Sequence, residues 1–133
     1  MAAIERFEDI EAWQGARALV AATYRSTDQG SFARDFGLRD QVRRAAVSIM
    51  SNVAEGFERG SDKEFRHFLF VAKASAAEVR SLLYVALDLG YIDTQTHEQL
   101  SKQALRISRQ LAGFIKYLAN SAQAKQNAPT FDL

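Results

Sequence analysis

The 133-residue chain contains no cysteine. Neither a disulfide framework nor a thiolate metal site is available to it, which suits a protein of the reducing cytosol. The sequence also lacks an apolar run near the ~20 residues needed to cross a bilayer, and its first residues lack the basic-then-apolar order of a secretion signal. We expect a soluble, cytoplasmic protein without a membrane partner.

A strong excess of charge of either sign is also missing. Lysine and arginine number 17 and aspartate and glutamate number 16, which gives a net charge of +1. The charge of the whole molecule therefore neither favours nor excludes a polyanionic partner. Only the distribution of charge along the chain can indicate one.

Helix-breaking residues are scarce, with one proline, Pro129, and seven glycines. Between them, apolar residues recur at every third or fourth position, which predicts four helices over about residues 7–26, 38–57, 62–90 and 94–122. A short turn at residues 32–36 is expected before the second helix. Short connections predict an all-α fold, an up-down-up-down antiparallel four-helix bundle, as one domain over residues 1–122. The polar residues 123–133 are predicted to form a disordered tail.

The periodicity also predicts which helix faces are buried. In the first helix the expected stripe is Ile10, Trp13, Ala16, Val20 and Tyr24, with Asp9 as the cap. In the second it is Val42, Ala46, Ile49, Val53 and Phe57, widened by Ala45 and Met50. In the fourth, which Asp93 or Thr94 caps, it is Leu100, Ala104, Ile107, Leu111, Phe114 or Ile115, and Leu118.

The third predicted helix carries two apolar rows. Ser61 and Glu64 have the spacing of a capping box, which opens the helix. The main seam is Phe65, Leu69, Ala72, Ala76, Val79, Leu83 and Ala86, and the second row is Phe68, Val71, Ser75, Leu82, Val85 and Leu89. Two rows predict two neighbouring helices and leave apolar surface that one bundle does not bury, which predicts self-association.

One stretch resembles a known family. Residues 38–59, LRDQVRRAAVSIMSNVAEGFER, closely resemble the signature of the bacterial 23S rRNA intervening-sequence proteins, also called the S23 ribosomal protein family. Residues 64–69 and 72–80 match the family's second block, and residues 7–10 with Trp13 match its opening, so the resemblance covers about residues 7–120. One departure affects the local turn, because Ala33 follows Phe32 where many relatives have proline.

The resemblance implies a four-helix subunit, commonly assembled as a pentamer, without established enzymatic activity. The family is also similar to the accessory protein of diversity-generating retroelements, a pentameric bundle that binds nucleic acid. The family name reflects where some of its genes lie and does not imply that the protein binds rRNA. Within the matching blocks, we interpret these positions as structural or interface residues: Arg44, Ser48, Asn52, Glu55, Gly56, Ser75 and Glu78.

The clearest charge feature lies on the fourth predicted helix. Residues 99–131 contain no acidic side chain and five basic ones: Lys102, Arg106, Arg109, Lys116 and Lys125. The first four share one helix face, roughly opposite the apolar stripe, and this face could bind phosphates. An ordinary solvated helix face is the alternative interpretation. Arg39 and Arg43, with Arg44, form a second, weaker cluster, for which salt bridges within the bundle are the alternative.

A row of polar residues follows the second predicted helix: Gln41, Arg44, Ser48, Asn52, Glu55 and Arg59. We expect Asn52 and Glu55 to hydrogen-bond with Arg44, Ser75 or a neighbouring subunit and so to fix the register; ligand binding is the alternative. Gly56 is expected to end the helix or to permit a close approach of another one.

Catalytic and metal motifs are incomplete. Glu64 and His67 form one Glu-x-x-His motif, but a di-iron site needs a second, and the only other histidine, His97, follows Thr94 at that spacing. Neither a Gly-x-Ser-x-Gly elbow nor a phosphate-binding Gly-x-x-x-x-Gly-Lys loop occurs. We expect a non-catalytic protein with no cofactor, no metal and no identified small-molecule substrate.

Two functional hypotheses follow. The first is sequence-independent binding of RNA or DNA through Lys102, Arg106, Arg109 and Lys116, aided by Arg39 and Arg43. The second is an oligomeric protein-interaction scaffold with no role in nucleic-acid binding. Only the first predicts a steep dependence on salt.

Overall fold

Four long helices and one short helix make up the described part of the chain. The computed structural model describes residues 4–127, and the side chains of residues 4–121. A 3-10 turn over Phe7–Asp9 precedes α1 (Glu11–Thr27), α2 (Gly30–Arg34), α3 (Phe36–Glu58), α4 (Asp62–Asp88) and α5 (Thr94–Asn127). Helix α2 overlaps the predicted short turn, and the four long helices are those that the periodicity predicts. Residues 123–127 of the predicted tail continue α5, and residues 128–133 lie outside the described residues.

The long helices form a closed square. Helix α3 packs most extensively against α4, α4 also packs against α5, and α1 packs against both α3 and α5. Helices α1 and α4 therefore lie on one diagonal, and α3 and α5 on the other. This arrangement confirms the predicted all-α, antiparallel four-helix bundle. None of the helices described carries an apolar stretch that would cross a bilayer.

Capping side chains set the starts of three helices. The Ser61 hydroxyl accepts the amide of Glu64 at 3.2 Å, which confirms the predicted cap of α4. Asp35 accepts the amide of Leu38 at 3.1 Å, and Asp93 accepts the amide of Thr96 at 2.7 Å. Each bond satisfies an amide that has no partner within the first helical turn.

The predicted Asp9 cap of α1 is wrong. Asp9 belongs to the 3-10 turn, and Ile10 occupies the capping position without a side-chain hydrogen bond. The side-chain amide of Gln14 instead donates to the carbonyl of Glu8 at 2.9 Å and ties the turn to the helix.

The core confirms the seams of α4 and α5. All seven residues of the predicted α4 seam are buried. On α5, where the spacing allowed either Phe114 or Ile115, Ile115 is the buried residue. In the second α4 row, Ser75 is buried and Phe68 and Leu82 are half-buried, whereas Val71, Val85 and Leu89 are exposed. Helix α4 has the two predicted neighbours, α3 and α5, but they cover only part of this row.

The predicted stripe of α1 is partly wrong. Ile10 and Ala16 are buried as expected, but Trp13 and Val20 are half-buried and Tyr24 is 42% exposed. The remaining buried positions of α1 are Ala12, Leu19, Thr23 and Thr27. They lie about 80° around the helix from Trp13, Val20 and Tyr24.

Gly56 permits a close approach of α3 and α4. The helix continues past it to Glu58, so it does not end the helix. A Cβ atom at this position would stand 2.6 Å from the Cβ of Phe68 and 3.0 Å from Cδ1 of Phe65. The contact therefore requires glycine.

The first prediction compares two helical glycines. Gly56→Ala should lower the free energy of unfolding by about 1–3 kcal/mol, because the new methyl group overpacks the α3–α4 contact. Gly113→Ala is the matched control: a Cβ there meets nothing within 4 Å, and the substitution should raise the stability by about 0.5–1 kcal/mol. Urea denaturation measures both, and equal changes in the two variants would contradict the close-approach interpretation.

Candidate nucleic-acid interface

Four cations of α5 form a continuous exposed stripe, hereafter the basic stripe: Lys102, Arg106, Arg109 and Lys116. They lie opposite the buried apolar side of the same helix, as the spacing predicts. No ion pair among the described side chains involves any of them, and residues 99–121 contain no acidic side chain. The charge of the stripe is thus exposed and uncompensated. Lys125 lies outside the residues whose side chains are described.

The basic stripe borders a groove between α1 and α5, hereafter the α1–α5 groove. This seam has the least extensive packing of the four in the bundle, and three clefts follow one another along it. On the α1 side lie Gly15, which has no side chain, and the short side chains of Ala18 and Ala22. Lys102 lines the cleft nearest the start of α5, and Arg106 lines the middle one. Two cations of the stripe are therefore accessible from the groove.

Two ionisable groups at this end of the groove are held by hydrogen bonds. The Tyr91 hydroxyl donates to Oδ2 of Asp35 at 2.9 Å, and this bond, with the Asp35 charge, raises the pKa of Tyr91 above its ordinary value. The backbone amide of Thr96 lowers the pKa of Asp93 below its ordinary value. At neutral pH the phenol is protonated, and Asp93 is a carboxylate that caps α5.

Arg43 and Arg39 lie away from the basic stripe. Nε of Arg43 donates to the Thr27 hydroxyl at 2.8 Å, and its guanidinium stands 4.4 Å from the centre of the Tyr24 ring. Both contacts join α3 to α1.

Arg39 makes local contacts. It pairs with Asp40 at 2.9 Å, donates to the carbonyl of Ala33 at 3.1 Å and lies over the Phe36 ring. Because α3 and α5 are diagonal, the structure does not bring Arg39 or Arg43 together with the stripe.

The polar row of α3 uses different partners from those expected. The Ser48 and Ser75 hydroxyls lie 2.9 Å apart across the α3–α4 contact, and Nδ2 of Asn52 donates to the Ser48 carbonyl at 2.8 Å. Glu55 pairs with Arg59 at 3.1 Å. The expected bonds of Asn52 and Glu55 to Arg44 or Ser75 are wrong within this chain. The partners of Asn52 and Glu55 lie four residues away on the same helix, whereas Arg44 lies about 12 Å along the helix axis from Asn52.

The two histidines lie in different surroundings. His67 is exposed near Glu64, whose backbone and side chain contact the Ser61 cap. His97 is buried, with its ring 4.6 Å from the Tyr84 ring. Among the residues described, no three His, Asp or Glu side chains are grouped so that they could hold a metal ion.

Sequence reasoning missed Arg25, which lines the same cleft as Lys102. The periodicity of one helix cannot show which side chains of another helix stand across a seam. The small residues Gly15, Ala18 and Ala22, spaced three and four apart, were the available signal, because they share one face of the helix and fill little space along it.

Comparisons with known proteins agree with this fold. A family model described as 23S rRNA-intervening sequence protein matches residues 8–113. A solved structure from Bacteroides thetaiotaomicron, a protein with unknown function from the S23 ribosomal protein family, is similar with a TM-score of 0.73 and 20% sequence identity. The match covers 79% of this chain and 95% of that one, and at this identity it shows a shared fold. No curated protein matches the chain in sequence.

The second prediction tests the structural role of Arg43. Arg43→Ala should lower the free energy of unfolding by about 1–2 kcal/mol, because it removes both the hydrogen bond to Thr27 and the contact with the Tyr24 ring. Arg109→Ala, which removes an exposed cation without a described ion pair, should change stability by less than about 0.5 kcal/mol. Thermal denaturation followed by circular dichroism compares the stability of the two variants. An Arg43→Ala variant as stable as the unmodified protein would refute the structural role of Arg43.

Proposed function

The chain belongs to the 23S rRNA-intervening sequence protein family, and on that premise we propose that it is a non-catalytic, oligomeric protein that binds RNA or DNA phosphates independently of sequence. The observation that carries the proposal is the basic stripe of α5. Its four cations are exposed, and no described ion pair compensates them. Phosphates that bind them release counterions, which makes the affinity depend on salt.

The surroundings of the stripe favour backbone contacts over base recognition. Stacking of bases on aromatic rings and contacts of cations with phosphates both tolerate any sequence, whereas base recognition needs hydrogen bonds to base edges. In the described part of α5, Tyr117 is the exposed aromatic residue, and it lies beside Lys116 at one end of the stripe. Cations without interleaved rings support binding that tolerates any sequence.

Self-association would multiply this surface. Five large apolar side chains of α4 and of the residue that follows it are between 37% and 58% exposed, hereafter the α4 apolar face: Phe70, Val71, Tyr84, Val85 and Leu89. Between Val71 and Tyr84 the exposed residues on this side of the helix are the small residues Ala74, Ala77 and Ser81 and the charged Glu78. We propose that copies of the chain cover this face, with the pentamer that the resemblance implies as the expected assembly. Five stripes in one particle would give a much larger positive field than one.

An oligomeric protein-interaction scaffold is the second candidate function. The same α4 apolar face favours it, because exposed apolar patches are typical of protein contacts. Arg44, Glu55 and Glu78 are also exposed, as interface residues would be in a free subunit. The sequence resemblance also implies similarity to the accessory protein of diversity-generating retroelements, a pentamer that binds nucleic acid, and this expectation favours the first function over the scaffold.

The third prediction is salt-dependent binding. Fluorescence anisotropy with labelled single-stranded RNA should show an affinity that falls about 50-fold between 50 and 200 mM salt, if four phosphates contact the stripe. The variant Lys102→Glu, Arg106→Glu, Arg109→Glu should lose most of this binding.

The control for this test is Arg6→Glu, Arg34→Glu, Lys63→Glu, which changes the net charge equally at exposed positions outside α5. It should retain most of the binding. Absence of RNA and DNA binding by the unmodified protein at low salt would refute the proposed function and leave the scaffold.

The fourth prediction concerns assembly. At micromolar concentration the protein should sediment as an oligomer, with five times the 14.8 kDa of one chain as the expected mass. Val71→Glu with Val85→Glu should give a monomer of unchanged helicity, because charges on the α4 apolar face oppose its burial. Ala21→Glu, at an exposed position of α1, should leave the oligomer intact. A monomeric unmodified protein would contradict self-association.

A further inference from the structure

The cleft at the α5 start of the α1–α5 groove has cations on both of its sides. Arg25 stands in the last turn of α1, and Lys102 stands on α5. The cleft has a volume of about 800 Å³, which lies within the usual range for ligand sites. Ser26, Thr96, Gln99 and Gln103 also line it and could donate hydrogen bonds.

We propose that this cleft holds a backbone phosphate of single-stranded nucleic acid between Arg25 and Lys102, so that the strand follows the α1–α5 groove. The inference rests on the proposed function and deepens it. It adds Arg25 to the binding surface and replaces the expected aid of Arg39 and Arg43. A planar guanidinium binds a phosphate through two parallel hydrogen bonds, and an opposing lysine supplies the second charge.

The charges around the cleft favour an anion. Neither Arg25 nor Lys102 has an ion pair among the described side chains. Asp93 is the carboxylate that lines the cleft, but it accepts the amide of Thr96 at 2.7 Å and is directed to the start of α5. Asp28 follows α1 without lining the cleft. Two unpaired cations thus face one carboxylate that already has a partner.

The form of the groove favours a single strand over a duplex. Its α1 side carries Gly15, Ala18 and Ala22, and longer side chains such as Gln14, Gln103 and Gln110 stand beside them. A flexible strand can bend into such a seam, whereas a stiff duplex reaches mainly the outward basic stripe. The amides and hydroxyls serve any sequence, because they reach phosphate and sugar oxygens as readily as bases.

The fifth prediction distinguishes binding in the α1–α5 groove from binding to the basic stripe. Arg25→Ala should weaken the binding of single-stranded RNA about fivefold, through loss of one charge-assisted contact, and should reduce the slope of log affinity against log salt by about 0.7. The binding of duplex RNA should change little. The matched control is Arg17→Ala, an exposed arginine of the same helix that does not line the groove, and it should bind both RNAs like the unmodified protein.

A second variant tests the groove without a change of charge. Ala18→Leu places a larger side chain on the α1 side of the groove and should weaken single-strand binding, whereas Ala21→Leu, exposed outside the groove, should not. Equal effects of Arg25→Ala and Arg17→Ala on single-strand binding would refute the proposal that the strand follows the groove. Full single-strand binding by Ala18→Leu would refute it too. The glutamate variants of the basic stripe test the proposed function independently of this result. Absence of any RNA binding by the unmodified protein would refute both.

Discussion

The bundle depends on how closely α3 and α4 approach each other. Gly56 lets Phe65 and Phe68 lie against the backbone of α3, where a methyl group would collide with both. Further along the same contact, the hydroxyls of Ser48 and Ser75 meet at 2.9 Å. Small side chains allow this contact to be tight, and the hydroxyls of Ser48 and Ser75 fix its register because each has the other as a partner. The most extensive seam of the bundle is the result.

The packing of α1 follows from that contact. Helices α3, α4 and α5 form a firmly packed row, and α1 closes the square through its two seams. On one of them, Arg43 and Thr27 join α1 to α3 through a direct hydrogen bond. On the other, the side-chain amide of Gln110 donates to the Glu11 carboxylate at 3.5 Å. The second seam is consequently the one that opens into a groove.

How far sequence predicts this structure differs between helices. The seam of α4 follows from spacing alone, because seven apolar residues at steps of three and four allow one inward face. The face of α1 does not, since Thr23 and Thr27 are buried there. The Thr27 hydroxyl donates to the carbonyl of Thr23 at 2.7 Å and accepts from Arg43, so a polar residue is satisfied inside the bundle. A hydropathy pattern registers neither bond and favours the larger Trp13 and Tyr24.

The same distinction governs the candidate interface. The basic stripe is a property of one helix and could be predicted, whereas the positions of Arg25 and Arg43 depend on which helices are neighbours. The square arrangement also relates the two proposed surfaces to each other. Because α1 and α4 are diagonal, the α1–α5 groove does not lie on the outer side of α4. The proposed oligomerisation through the α4 apolar face and the proposed binding of nucleic acid along the α1–α5 groove therefore use different surfaces of one subunit, so neither proposal excludes the other.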